Sequence, residues 1–474
     1  MMMQTSNFAK AVDAGNFLLD TDSYKYSHPQ QFPDGTEQVF AYIEPRRANG
    51  EMDEVLFFGL QAELVKLEGT VVTQAMLDEA APFIEAHGLS LYTKMFQYII
   101  DAHDGRLPVQ IDALAEGTLA PAAIPQVRIV NTDPKCWALP GFLETRLLRA
   151  VWYPSTVATI SNAVIRQIRE RLIRTDGSDD GLAFKLHDFG ARGATSAQSA
   201  ALGAAAHLVN SMGTDTVAGL VLARNVYGAE MAGFSIPATE HSTVTSFGVD
   251  GELAFMRRFL ADNPTGIIAC VSDSYDLMRA VRDYWGTELS DSVLARDGVL
   301  VVRPDSGDPL RIVPDVIEAL MERFGHSLTE NGFRILPDQV RVIQGDGVNP
   351  TSIVRIMDEM IERGLAIGNI AFGMGGGLLQ KLDRDTFSYS MKTSAIRANG
   401  VWRDVFKDPV TAGGAKTSRK GRIGVMQTDG GRFAVRPQDN IPTGQDALKP
   451  VFRDGRIVTR HSFDAIRKRA GLIV

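Results

Sequence analysis

Apolar positions along the chain follow two rhythms. In the first part, residues 54–68, 75–86 and 91–102 place apolar side chains at helical spacing, and the same spacing predicts helix over 137–174. Strand-like runs stand at 37–43, at 127–130 and around Gly117. The polar stretch RTDGSDDG at 174–181 interrupts the pattern and marks a domain boundary. From there to about residue 382 the rhythm is regular: a short apolar, β-branched run ends in Gly or Asp, and a helical stretch follows. The runs are FKLHDF (184–189), TVAGL (216–220), GIIACVS (266–272), VLVVR (299–303), VRVIQ (340–344) and IAF (370–372). Short buried strands alternating with helices predict parallel βα units. Their number suits an eight-fold, irregular, TIM-like βα barrel, with an open doubly wound sheet as the alternative, because periodicity alone cannot close a barrel. After residue 387 the alternating patterns SYSMKTSAI, RIGVMQT and RFAVR, with a last helix at 463–470, predict a second sheet-containing domain. The expected organisation is an N-terminal α+β domain (1–180) completed by 390–474, and a βα-barrel domain at 181–389.

Composition narrows the class. A chain of 474 residues is too long for one ordinary core. With 49 basic and 57 acidic residues the net charge is −8, which disfavours general nucleic-acid binding but leaves room for a local basic pocket. The two cysteines, Cys136 and Cys270, lie far apart, so neither a disulfide framework nor a cysteine metal site is expected. The start MMMQTSNFAKAVDAG has no basic segment followed by an apolar run, and no stretch approaches the ~20 apolar residues of a membrane span. The expectation is a cytoplasmic protein without membrane or nucleic-acid partners.

Candidate chemistry gathers where the barrel strands end. The first run ends in His187, Asp188, Phe189, Gly190 and Arg192, and Gly213, Thr214 and Asp215 precede the next. Later runs end in Asp273, in Arg303 with Asp305, in Gly345-Asp346-Gly347, and in Gly373 with Gly375, Gly376 and Gly377. Active sites of βα barrels are built from such strand ends. The loop FGMGGGLLQK (372–381) has the glycines of an anion cradle, although a flexible loop looks similar. Arg384, Lys392, Lys407, Lys416, Arg419, Lys420 and Arg422 follow it in a net-acidic chain. They form either a solvated face or, the favoured reading, a phosphate pocket, with nearby aspartates holding Mg²⁺ on a diphosphate. Of the eight histidines, His241 stands out in SIPATEHSTVTS, where a loop enters a helix and Glu240 is available to orient the ring.

At these residues the chain resembles the nicotinamide phosphoribosyltransferases of the type II phosphoribosyltransferase family. The shared motifs run in order: TDSYK (21–25), KLHDFG (185–190), HLVN and GTDTVAG (207–219), EHST (240–243), VSDSYD (271–276), RPDSG (303–307), VIQGDGV (342–348), GGGLLQKL (375–382), FKDP (406–409) and SFDAIRK (462–468). The resemblance implies a homodimer with shared active sites that joins nicotinamide to 5-phosphoribosyl 1-diphosphate, with Mg²⁺ as cofactor and ATP as co-substrate hydrolysed through phosphorylated His241. It implies that Phe189 and the other subunit's Tyr24 sandwich the pyridine ring, and that Asp215 accepts the carboxamide N–H. Arg303 would meet the amide oxygen and ribose region, and Asp305 the ribose hydroxyls. Gly345, Asp346, Gly375 and Gly376 would hold the ribose 5-phosphate. Arg46 of the other subunit, Arg192, Arg384, Lys392 and Lys416 would bind phosphates, and Asp273 would support His241; no metal-ligand set is implied. The alternatives are a nicotinate-specific relative, which Asp215 opposes, and a non-catalytic nucleotide-binding dimer. Ala191, Met374 and Ala269 depart from the family pattern.

Overall fold

The computed structural model describes residues 15–408, 418–428 and 430–473. The chain divides into two compact units, one running up to Thr156 and resuming over Arg384–Arg469, the other Val157–Asp383 with the residues from Ala470 onward. No helix among the described residues is long and apolar enough to cross a membrane.

The second unit is built on six parallel strands: β1 (Leu186–Asp188), β2 (Gly213–Thr214), β3 (Thr265–Val271), β4 (Asp297–Arg303), β5 (Val340–Gln344) and β6 (Ile370–Met374), in the spatial order β2-β1-β6-β5-β4-β3. Helices follow the strands and bury one apolar stripe each. In Pro309–Phe324 the stripe is Val313, Val316, Ile317, Leu320 and Phe324; in Pro350–Glu362 it is Ile353, Ile356, Met357 and Met360. Both helices start sharply. Asp308 accepts from the Leu310 N–H and Asn349 from those of Thr351 and Ser352, with Pro at the first helical position. Lys185, just before β1, donates from Nζ to the carbonyls of Gly368 and Ile370, each at 3.0 Å. That contact explains the lysine of KLHDFG as a staple between β1 and β6, and burial pulls its pKa down to about 8.

The two outer strands are not left as open edges. Phe234 forms a parallel bridge with Gly213 of β2, and Ala238 forms one with Ala269 of β3. The Ala269 N–H donates to Pro237 O at 2.9 Å, and the Thr239 N–H donates back to Ala269 O at 3.0 Å. The extended segment 234–239 therefore closes the ring, giving an irregular βα barrel of six strands and one strap where eight strands were expected. The run TVAGL also differs from expectation. The strand there is only Gly213–Thr214, and Val217 begins the helix Val217–Tyr227. Packing decides this against β propensity: a Cβ at Gly219 would stand 2.4 Å from Ala204, so two helices meet closely at that point.

In the first unit, N- and C-terminal segments share one sheet. Thr36–Glu44 pairs antiparallel with Ser390–Ala398 on one side and Val127–Asn131 on the other; Val109–Ala113 and Lys449–Arg453 continue the order. Buried Arg128 ties these strands, with Nε 2.6 Å from Asp112 and a second ion pair to Asp446. The helix Glu144–Asp176 carries the chain onward into the second unit, and the polar break at 174–181 begins where it ends.

Candidate active site

Register places the candidate residues of the second unit on one rim. Asp188 lies opposite Thr214 and Met374, Gln344 opposite Phe372, and Val271 opposite Arg303. The residues that follow these strand ends, Phe189, Asp215, Asp273, Asp305, Gly345, Asp346 and Gly375, therefore leave the sheet at its C-terminal edge.

Phe189 sits over an apolar floor. Ala269, Val301 and Ile343 form a buried cluster against which Phe189 and Ile236 pack. Ala269, a departure from the family pattern, is thus part of that floor; Met374 is fully buried, and Ala191 is exposed. The Phe189 ring also rests against β6, where a Cβ at Gly373 would fall 1.9 Å from Cε2. The first glycine of the loop therefore makes a seat for an aromatic ring, whereas the sequence suggested an anion cradle. Gly345 approaches the same ring, and Gly376 opens the short helix Gly376–Leu379. Gln380 donates to Gly190 O at 3.0 Å, joining this loop to the turn after Phe189.

Asp188, noted in the sequence only as a strand-end residue, organises the base of the site. Its carboxylate is fully buried and accepts from the Gly190 N–H at 2.7 Å and the Thr214 hydroxyl at 3.3 Å. Its carbonyl accepts from the Asp215 N–H at 3.0 Å. Burial raises its pKa, and these donors oppose the rise. One residue thereby fixes both the turn that carries Phe189 and the turn that carries Asp215. Its signal in the sequence was an acid inside an apolar run.

His241 belongs to a second constellation. Its Nε2 lies 3.0 Å from Asp273 Oδ1, and the other Asp273 oxygen accepts from the Asp305 N–H at 3.0 Å. The Asp273 side chain is 2% exposed and the His241 ring 44%. The other ring nitrogen, Nδ1, faces Asp305 Oδ2 at 3.9 Å, so the ring stands between two carboxylates. Asp273 orients the ring, and the expectation for Glu240 is corrected: its carboxylate accepts from the Ser242 hydroxyl. Arg303 Nη2 stands 3.6 Å from Asp305, and its buried Nε has no hydrogen-bond partner among the described residues. Asp346 is exposed, and Arg192 is exposed on the turn Ala191–Gly193.

The first unit holds the remaining candidates in two adjoining cavities that share Lys392. One, of about 530 Å³, is lined by Arg46, Arg47, Arg384, Lys392 and Lys407, with Asp385 as its acid. Burial lowers the pKa of Lys392; Glu144 opposes the shift, and Arg46, Lys407 and Lys25 add to it. The other, of about 550 Å³, is lined by Tyr24, Lys25, Trp137 and Glu144 among others, and Tyr24 is 53% exposed. Arg47 was absent from the predicted set. Lys416 lies outside the described residues. Arg419 and Arg422 are committed elsewhere, to Glu44 and to Asp439, so the basic run divides between cavity and framework.

The strand ends of this irregular parallel barrel carry an aromatic seat, an exposed acid and an Asp-anchored histidine. Two solved structures share the fold: nicotinate-nucleotide pyrophosphorylase from Pyrococcus furiosus (TM-score 0.61, 16% identity, 99% of this chain and 96% of that one) and human nicotinic acid phosphoribosyltransferase (TM-score 0.55, 17% identity, 96% and 93%). Residues 184–456 match the nicotinate phosphoribosyltransferase (NAPRTase) family, and residues 16–111 the N-terminal domain of nicotinamide phosphoribosyltransferase. Curated relatives named nicotinamide phosphoribosyltransferase include one from Xanthomonas campestris pv. campestris, 45% identical over 96% of this chain and 98% of its own length, and one from Acinetobacter baylyi, 31% identical over 96% and 97%. The chain belongs to the nicotinate phosphoribosyltransferase family and, within it, to the nicotinamide phosphoribosyltransferases.

Proposed function

We propose that the protein transfers the phosphoribosyl group of 5-phosphoribosyl 1-diphosphate to nicotinamide, forming nicotinamide mononucleotide and diphosphate in NAD salvage. The observation that carries the choice of base is Asp215, an exposed acceptor on the turn fixed beside Phe189. A pyridine ring stacked on Phe189 brings its 3-substituent to Asp215. A carboxamide donates there, whereas a carboxylate is repelled. The ring nitrogen attacks the ribose C1 as the C1–O bond to diphosphate breaks, and positive charge develops on the sugar. The unpartnered Arg303 Nε and the Asp305 carboxylate are the groups assigned to the amide and ribose. Gly345, Asp346, Gly375 and Gly376 are assigned to the ribose 5-phosphate, and Arg192 to phosphate.

Asp305 and Asp346, which follow two of the strand ends, carry hard carboxylate oxygens of the kind Mg²⁺ takes together with phosphate oxygens and water, and they are the residues that would hold it. Held there, it would offset negative charge on the departing diphosphate. ATP enters through His241. With Nε2 held on Asp273, Nδ1 is the nitrogen assigned to take the γ-phosphoryl group as ADP leaves, and Asp273 stabilises the charge that develops on the ring. The phosphohistidine then adds charge beside the diphosphate and favours synthesis.

Two copies share each site in this reading, with the partner copy's Tyr24 closing the sandwich. Arg46, Arg384 and Lys392 line one cavity, so all three act from the same copy on the phosphates. An anion entering that cavity relieves the repulsion among its cations. If the site is shared, inactive Tyr24→Ala and Asp215→Ala variants regain part of the activity when mixed as heterodimers. No recovery in confirmed heterodimers rejects the shared site.

The central test offers nicotinamide and nicotinate separately to purified protein with 5-phosphoribosyl 1-diphosphate and Mg²⁺. The native chain is expected to make nicotinamide mononucleotide preferentially. Asp215→Asn is expected to narrow the preference by about tenfold or more, the weight of one charge-assisted hydrogen bond. Unchanged kinetics with both bases remove Asp215 from this role.

A further inference from the structure

We propose that Ser235 is a positioning residue that sets base selectivity by holding one oxygen of Asp215 so that the other faces the substrate. This rests on Asp215 being the carboxamide acceptor. The Ser235 hydroxyl donates to Asp215 Oδ1 at 2.7 Å. Asp215 is thus held at two points, its N–H on the Asp188 carbonyl and one carboxylate oxygen on Ser235. An exposed Asp side chain otherwise samples several rotamers, and freezing it on the incoming base costs conformational entropy. With Oδ1 engaged, Oδ2 is the oxygen left for an amide N–H.

Ser235 can do this because its own backbone is fixed. The Phe234 N–H donates to Met212 O at 2.7 Å and the Thr214 N–H donates to Phe234 O at 3.2 Å, so residues 212–214 and 234 run locked together. On the other side, Ile236 packs against Ala269, Val301 and Ile343, the floor on which Phe189 also rests. Ser235 therefore lies between two anchors on the strap that closes the barrel. The distance from Asp215 to Phe189 is set by the same framework that sets the distance from Asp215 to Ser235. A serine in SIPATEHST carries no such meaning in the sequence, because its partner lies in a different loop.

The experiment measures KM and kcat for nicotinamide, nicotinate and 5-phosphoribosyl 1-diphosphate in Ser235→Ala, Ser235→Thr, Asp215→Asn and the double variant Ser235→Ala/Asp215→Asn. The expected result is a nicotinamide KM raised about tenfold in Ser235→Ala, with kcat and the KM for 5-phosphoribosyl 1-diphosphate changed less than about twofold. Ser235→Thr, which keeps the hydroxyl, recovers most of the loss, and the alanine change adds nothing in the Asp215→Asn background. A native nicotinamide KM in Ser235→Ala, alongside a selectivity loss in Asp215→Asn, overturns the role of Ser235 and leaves that of Asp215 standing. An undiminished alanine effect in the double variant also overturns it, since Ser235 then acts on its own. Unchanged selectivity in Asp215→Asn overturns the reading of Asp215 and this inference with it.

Discussion

Gly373→Ala lowers kcat/KM for nicotinamide by about a hundredfold while leaving the fold in place. The added Cβ falls 1.9 Å from Cε2 and 2.1 Å from Cδ2 of Phe189, an overlap that a small adjustment cannot relieve. The backbone has no room to retreat, because Gly373 is paired with His187 in the middle of the parallel sheet. The ring must turn out of its seat, at a strain of about 1–3 kcal/mol typical of overpacking. The base then loses the stacking surface. At 1.36 kcal/mol per factor of ten, about 2.7 kcal/mol of lost transition-state binding gives the hundredfold. Phe189→Ala loses the same surface without adding bulk, so it matches the glycine variant, and combining the two changes adds little. Steady-state kinetics with each substrate, beside a thermal unfolding curve, separate this from misfolding. A Gly373→Ala enzyme with an intact unfolding transition and a native KM for nicotinamide refutes the seat.

His241→Ala removes the effect of ATP and spares the transfer that runs without it. The nitrogen attack on C1 calls on no side-chain nucleophile, so the ATP-independent rate stays within about threefold of native. Stimulation by ATP, and label carried onto the protein from γ-labelled ATP, fall to background. The geometry also names the atom. Asp273 occupies Nε2, so the phosphoryl group is expected on Nδ1, which nuclear magnetic resonance of the labelled protein distinguishes. Asp273→Asn frees the ring to turn and lowers labelling by ten- to a hundredfold, as loss of an orienting carboxylate does. Full stimulation by ATP in His241→Ala, or label found on Nε2, contradicts the assignment.

The legible parts of the molecule were those written in short range. The runs at 266–272, 299–303, 340–344 and 370–372 all became barrel strands, because the residues they carry into the core, such as Ile268, Leu300, Val342 and Phe372, are apolar and buried. The segment 234–239 was illegible as a barrel element. It contains Pro237 and polar residues and is extended only because β2 and β3 bridge it from either side. The ring that Gly373 makes room for and the partner of Glu240 were out of reach for a related reason, although the resemblance had already named Asp273 as the support of His241. Which residue a glycine makes room for, and which acid reaches a histidine, depend on neighbours brought in from other strands. Asp273 lies 3.0 Å from His241 but on the next strand of the chain, whereas Glu240 is adjacent and turned to Ser242. The strand-end positions of Asp188, Asp215, Asp305 and Asp346 were readable as a set. What each one bonds was not.

The strap has a bearing on which residues such an enzyme can change. It carries Ser235 near one end and leads directly into His241 at the other, and between them Pro237 and Thr239 are both bound to Ala269. Ala269 is thus a common support: it holds the peptide that carries Ser235, the peptide that enters His241, and the floor on which Phe189 rests. The size of this one residue is therefore constrained from three directions at once, and a bulkier side chain there is felt at both ends of the strap.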